Sequence, residues 1–276
     1  LPALNALTID VEDWYHVCGG PELPALAPAD RRVLPNVERL LALLAEYGVK
    51  ATFFILGSVA AEQPTLAPLI AAAGHEIASH GWSHRLVTGL TPAEFREEVR
   101  KTGELLERQT GRRPTGFRAP QWSLSRETTP WAFAILREEG YHYDSSLNPL
   151  PLIGDRRGAR VPFPVTTEHG TIAELPPLVT PAGLINLPTG GGWGLRFFPE
   201  ALLTATIRRL NRRGTPAVLY LHPRELDPAG PRLKLGPLRS FAAYGPRSGA
   251  ETRLRSLLQR FCFTSLRELV EQCDFA

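Results

Sequence analysis

Short apolar runs recur along the chain, and the stretches between them repeat apolar residues every three or four positions. Asn5 to Asp10, Ala51 to Leu56 and the short run of Ile77 and Ala78 that leads to His80 read as strands, each bounded by polar or turn-forming residues. Between them, residues 37–47 place Val37, Leu40, Leu41 and Leu44 at helical spacing with Gly48 as the stop. A second helix is expected over 64–73. The order strand, helix, strand, helix, strand is that of parallel α/β folds.

The unit then repeats. Thr91-Pro92-Ala93-Glu94 reads as a helix start with Thr as cap, running to Thr110 before Gly111. Residues 116–120 predict a short strand ending on Arg118, residues 130–140 a helix, and residues 141–144 a strand ending on Asp144. From 148 to 194 the pattern loosens into Pro- and Gly-rich connections around a short strand at 171–175. Residues 199–213 predict an amphipathic helix whose Arg208, Arg209, Arg212 and Arg213 suit its C-terminal dipole. Residues 217–222 form a clean final strand, and 251–271 read as a helical tail. With no repeat at a fixed period, the expectation is one domain over 1–276.

Composition narrows the class. An apolar fraction of 43% and a charged fraction of 21% are those of a globular chain, and a net charge of +3 is too slight to point to nucleic acid. No run of 18 apolar residues predicts a membrane span. The chain begins at Leu1 and contains no Met, so the native start is expected to be missing, and any export signal with it. Cys18, Cys262 and Cys273 have no C-x-x-C spacing, which argues against a disulfide framework or a cysteine zinc site. A reducing, cytoplasmic setting is the default, with export left open.

Candidate chemistry gathers where strands end. His80 and His84 have metal-ligand spacing: a helix there would project both from one face, whereas the apolar Ile77 and Ala78 place His80 at a strand end with His84 on the turn that follows. A solvated helix face offers the same pair without a metal. Asp10, Glu12 and Asp13 put three carboxylates within four positions, costly unless a cation neutralises them, although a solvated acidic loop has the same composition. Trp14, Tyr15 and His16 beside them suit a site wall. Asp10, His80, Arg118 and His222 each end a separate apolar run, and in a parallel barrel such ends converge on one face. His75, His142 and His169 fit no such pattern and are expected to be structural or surface residues.

Thr8-Ile9-Asp10-Val11-Glu12-Asp13, His80-Gly81-Trp82-Ser83-His84, Phe117-Arg118-Ala119-Pro120 and Leu221-His222-Pro223 resemble, in this order, the motifs of polysaccharide deacetylases of the NodB-homology group, carbohydrate esterase family 4. The Asp-Val-Glu-Asp-Trp-Tyr form, Tyr143-Asp144-Ser145-Ser146-Leu147 and Gly190-Gly191-Gly192-Trp193 are similar to the subgroup associated with exosortase-linked exopolysaccharide loci. The resemblance implies an α/β fold, a distorted (β/α) barrel with a C-terminal extension. Residues 1–149 would form the motif-bearing core, and 150–276 would complete the barrel, with the last strand at 217–222.

It further implies removal of N-acetyl groups from an acetylated polysaccharide, with a divalent metal, zinc first among them, held by His80, His84 and an acid. Asp10 holds the position of the general base, Arg118 its partner and His222 the general acid, with Asp144 either positioning that histidine or simply capping the turn formed with Ser145 and Ser146. A backbone N–H near Gln121 or Trp122 would face the oxyanion. The family's adjacent aspartates are spread here over Asp10, Glu12 and Asp13. A continuing strand would make Glu12 the ligand and a turn after Val11 would make it Asp13. Trp82, Trp122 and Trp193 are candidates for stacking on sugar, or for the core. Hydrolysis of a small cyclic amide and silent glycan binding are the competing functions.

Overall fold

The apolar runs form strands, and the periodic stretches form helices packed around them. The computed structural model describes residues 3–17, 30–150, 154–155, 158–245 and 249–272. Cys18, Cys273 and the Pro-rich connection at 21–28 lie outside the described residues. The first half runs β1 (Leu4–Val11), α1 (Val33–Glu46), β2 (Thr52–Ile55), α2 (Gly57–Glu62), α3 (Leu66–Ala72), β3 (Glu76–Ser79), α4 (Pro92–Thr110), β4 (Gly116–Phe117), α5 (Trp131–Glu138) and β5 (Tyr143–Asp144). The second runs β6 (Phe163–Thr167), β7 (Gly170–Glu174), β8 (Thr180–Ala182), β9 (Ile185–Leu187), α6 (Gly192–Phe197), α7 (Glu200–Asn211), β10 (Val218–Leu221), α8 (Pro237–Tyr244), α9 (Ala250–Arg260), β11 (Cys262–Thr264) and α10 (Leu266–Gln272).

One curled sheet takes the order β10-β1-β2-β3-β4-β5-β7-β6, with β11 pairing the start of β1. Every pair is parallel except the β6–β7 hairpin. The sheet is therefore a distorted, incomplete (β/α) barrel. Its gap has a local cause: after Glu174 come Pro176 and Pro177, which have no N–H to extend the β7 ladder. The chain crosses instead to β10, where Leu178 N–H donates to Val218 O at 2.8 Å.

Two apolar layers hold this frame. Outside the sheet, Leu40, Leu43 and Leu44 of α1 pack with Ile9 and Phe53, Leu203 and Ile207 of α7 with Leu219, and Leu254 and Leu257 of α9 complete the same cluster. Inside, the narrow end is plugged by α10, whose Leu266 and Leu269 meet Ala6, Phe54 and Val218. Buried Glu76 ties the plug in place, accepting from Thr52 Oγ1 at 2.6 Å, Tyr143 OH at 2.8 Å and Arg267 N–H at 3.0 Å. The opposite end, where the parallel strands finish, stays open.

The α4 boundaries follow the sequence reading: Thr91 and Glu94 form a reciprocal capping box, and Gly111 ends the helix with φ 73°. Elsewhere the structure corrects that reading. The helix expected over 64–73 covers only 66–72 and is preceded by a separate one, α2. The tail over 251–271 is two helices broken by β11, so the 217–222 strand is not the last in the chain. Three residues are too few for a period-two pattern to stand out, and β11 exists because β1 offers it a free edge.

Candidate active site

Parallel strands deliver their last residues to the open end. Asp10 points inward from β1 and is 3% exposed; Arg118, just past β4, is 0% exposed. Arg118 Nη1 donates to Asp10 Oδ1 at 2.7 Å and to Thr8 Oγ1 at 2.8 Å, Nε to Ser145 O at 3.1 Å and Nη2 to Ser145 Oγ at 2.8 Å. A buried guanidinium this fully satisfied is a rigid support, and it holds one oxygen of Asp10 while leaving the other toward the cavity. That second oxygen, Oδ2, lies 4.0 Å from Nε2 of His222, which follows β10.

His80 follows β3 directly and is 1% exposed. The segment is not a helix: His84 sits on a turn with φ 61°, and the strand end and turn together bring the two imidazoles to 5.7 Å between ring centres. Glu12 Oε1 lies 3.2 Å from His80 Nε2 and 2.8 Å from His84 Nε2. Arg224 Nη1 holds the other carboxylate oxygen of Glu12 at 2.6 Å. The chain does turn after Val11, with Glu12 N–H donating to Asp10 O at 2.9 Å, yet Glu12 is the acid that reaches the histidines. Asp13 faces away and accepts from the backbone N–H groups of Trp14 and Arg32 at 2.8 and 3.0 Å.

This trio fits a divalent cation. His80 Nδ1 lies 2.7 Å from Arg118 O, and a carbonyl only accepts, so Nδ1 carries a proton and Nε2 is the atom turned toward the Glu12 carboxylate. In that orientation the Nε2 atoms and the carboxylate can serve a cation as ligands together. The three ligand atoms fall within 4.8 Å of one another. Burial alone would raise the Glu12 carboxyl, but His84, His222 and Arg224 hold it well below the usual carboxylate range, so it remains charged.

The structure does not bring Asp144 to His222. Asp144 lies behind Arg118, accepting from Ser146 Oγ at 2.6 Å and Ser146 N–H at 3.1 Å, beside Glu174. Burial raises both of these carboxyls, and the neighbouring Asp144 charge raises Glu174 further. The partner of His222 Nδ1 is Glu225 Oε1, at 3.0 Å. Burial would raise the Glu225 carboxyl, but His222 and Arg196 keep it low, hence ionised. The signal was available in the sequence, since Glu225 stands one helical turn after His222 behind Pro223.

A cavity of about 490 Å³ opens on these groups. Asp10, Glu12, His84 and His222 line it, with aromatic walls from Trp122, Trp193 and Tyr220. Trp82 takes no part; its ring carries Lys101 Nζ at 3.6 Å. His16, already read as a site wall, lines the cavity too. Its Nδ1 accepts from Asp13 N–H at 3.0 Å, which puts its proton on Nε2, and burial with the neighbouring His84 pushes its pKa down to about 3. His75 accepts from Ala51 N–H at 3.2 Å and His169 pairs with Glu138, so both serve structure or surface.

The fold defines the class: a mixed α/β, curled half-barrel of the NodB deacetylase type. Residues 30–143 match the family described as polysaccharide deacetylase, and residues 145–271 match a domain of unknown function, DUF3473. The chain thus carries a polysaccharide deacetylase domain of the NodB, carbohydrate esterase 4 family, continued by DUF3473. A peptidoglycan deacetylase of Helicobacter pylori is 34% identical over 112 residues, 41% of this chain and 37% of that protein. A peptidoglycan-N-acetylglucosamine deacetylase of Bacillus cereus is 32% identical over 125 residues, 44% of this chain and 46% of that protein. The chain therefore spans less than half the length of either relative. A Mycobacterium smegmatis structure assigned to the polysaccharide deacetylases superposes with a TM-score of 0.67 at 23% identity, covering 98% of this chain and 90% of the other.

Proposed function

We propose that this chain is a metal-dependent N-deacetylase acting on amino sugars of an exopolysaccharide or its precursor. The observation that carries the reading is a single cavity holding three features. These are a cation-suited trio, Glu12, His80 and His84, of which Glu12 and His84 line the cavity and His80 lies buried beside them, a carboxylate with one oxygen anchored and one free, Asp10, and an imidazole with a dedicated acceptor, His222. Silent glycan binding needs neither a poised base nor a poised acid. The DUF3473 segment supports the exopolysaccharide-linked subgroup.

A divalent cation held by Glu12 and the Nε2 atoms of His80 and His84 would supply Lewis acidity, lowering the pKa of water and polarising the acetyl carbonyl. Zinc suits two imidazoles and a carboxylate. Asp10 Oδ2 takes the proton of the attacking water, while the Arg118 bond to Oδ1 keeps the carboxylate oriented. His222 then gives a proton to the departing amine as the carbon–nitrogen bond breaks, leaving acetate and a free amino sugar. Glu225 holds His222 Nδ1–H, so that Nε2 faces the reacting centre. Of the two backbone donors considered for the oxyanion, Trp122 N–H is spent on Ala119 O at 3.1 Å, so that role falls to Gln121, whose φ of 51° holds a strained turn on the cavity wall.

The test is acetate release from acetylated amino-sugar oligomers by purified protein before and after chelation, with elemental analysis of wild type and His80→Ala. Metal-dependent release, with ion lost in His80→Ala, is the expected result. Bound metal without acetate from any acetylated glycan would transfer the reading to cyclic-amide hydrolysis, and no metal with no release would transfer it to silent binding.

A further inference from the structure

The DUF3473 segment contributes a cation to this cavity whose charge steadies Glu225 but whose N–H donors the deacetylation chemistry leaves unused. Arg196, on α6, is 4% exposed and lines the same wall as Tyr220 and Glu225. A guanidinium has five N–H donors. Among the described residues Arg196 donates a single hydrogen bond, Nε to Gly192 O at 3.2 Å, and its buried Nη1 has no acceptor. The charge of Glu225 is felt at Arg196, but no hydrogen bond joins the two: Glu225 gives Oε1 to His222, and among the described residues Oε2 has no hydrogen-bond partner. Burying a charge so sparsely bonded is costly, and natural sites keep such a group where a ligand completes it.

The group is also held in place. A Cβ on Gly191 would lie 2.0 Å from Tyr220 O, and one on Gly194 would lie 1.5 Å from Pro188 O, so only glycine lets α6 press against β10. Arg253 Nη1 donates to Leu195 O at 2.6 Å and to Phe198 O at 2.8 Å, tying down the far end of the helix. Arg224 and Arg239 line the cavity as well, but Asp10, Glu12 and Glu225 line it too and Arg224 is paired with Glu12 at 2.6 Å, so an anion is favoured where it meets the Arg196 guanidinium itself and not by the cavity as a whole.

We infer that Arg196 forms an anion subsite in this cavity, and that the preferred substrate is an N-acetylated sugar bearing a carboxylate or phosphate. The inference rests on the deacetylase reading for what happens to the acetyl group, but not for binding. The first arm therefore needs no turnover. Calorimetric titration of chelated protein with N-acetylglucosamine, its 6-carboxylate and its 6-phosphate should show the charged sugars binding about 10- to 150-fold more tightly than the neutral one. Arg196→Gln should erase that preference and Arg196→Lys should restore part of it, with melting curves confirming that both variants fold. Preference for the carboxylate alone assigns a uronate and preference for the phosphate alone a sugar phosphate; either supports the subsite.

Equal binding of all three sugars, or a preference untouched in Arg196→Gln, overturns the proposal. In that case Arg196 and Glu225 Oε2 are joined through ordered water and the role is structural. The second arm measures acetate release from the same sugars in metal-loaded protein, where Arg196→Gln should raise KM for the charged substrate and leave KM for the neutral one unchanged, any fall in kcat through Glu225 being shared by both. Arg196-dependent binding without release from any sugar would sink the deacetylase reading and leave the subsite standing. Equal turnover of charged and neutral sugars would do the reverse.

Discussion

Replacing Glu225 by Gln removes one charge and keeps nearly the same shape. Glu225 Oε1 accepts from His222 Nδ1 at 3.0 Å, and both side chains are largely screened from solvent, at 4% and 12% exposure. A hydrogen bond with a charged partner in such a place contributes about 1.5–3 kcal/mol, so kcat should fall by about 10- to 150-fold. The loss belongs to kcat because the imidazolium is needed only when the amine leaves; KM for a neutral acetylated sugar should stay near wild type. Acetate release under saturating substrate reads the first effect, and elemental analysis should find the metal content unchanged, since Glu225 touches none of the three candidate ligands. Glu225→Asp, with the carboxylate drawn back by one methylene, should fall between the two. A Gln variant within twofold of wild type, with an unchanged urea midpoint, would refute the pairing as a functional one.

Asp10→Asn should retain the ion and lose about 10²- to 10⁴-fold in kcat, because Asn can still accept from Arg118 but cannot take a proton; unchanged turnover removes Asp10 as base. In chelated protein, stability should fall as pH drops from 6.5 toward 3. The unfolded chain protonates His16 below about 6.5 while the folded chain, with that imidazole pushed down to about 3, does not, so the unfolded state binds more protons across this window. Glu12 and Glu225, both depressed in the folded state, add stability above about pH 4.5 that is lost only below it. His16→Gln should therefore flatten the 6.5–4.5 segment of a urea-midpoint titration by at most about 1.4 kcal/mol per pH unit, and an unaltered slope there would contradict the burial argument. Gly191→Ala should destabilise by about 1–3 kcal/mol through the clash with Tyr220 O, read by urea unfolding; a neutral effect would show that α6 can shift from β10.

The positions of β1 to β5, β7 and β10, the α4 boundaries and the convergence of Asp10, His80, Arg118 and His222 were legible from the one-dimensional pattern, whereas β6, β8, β9 and β11 were not. Apolar runs, capping residues and strand-end polarity are local signals, and parallel pairing carries every strand end to the same side. The partners of those residues were not legible. Glu12 and Asp13 are adjacent acids of nearly equal chemistry, and only the fold turns one toward two histidines and the other toward the Arg32 backbone. Glu225 rather than Asp144 reaches His222 because the turn after β10 curls back over the cavity, while Ser146 and Glu174 enclose Asp144 behind Arg118. The left-handed turn at His84, the glycine-packed α6 that carries Arg196, and β11 within an apparently helical tail likewise depend on contacts between segments far apart in sequence. Local pattern alone sets which groups stand at the ends of the strands. Which of them share a proton, a cation or a ligand was decided by tertiary structure, because hydrogen bonds and Coulomb attraction act over a few ångströms of space and take no account of distance along the chain.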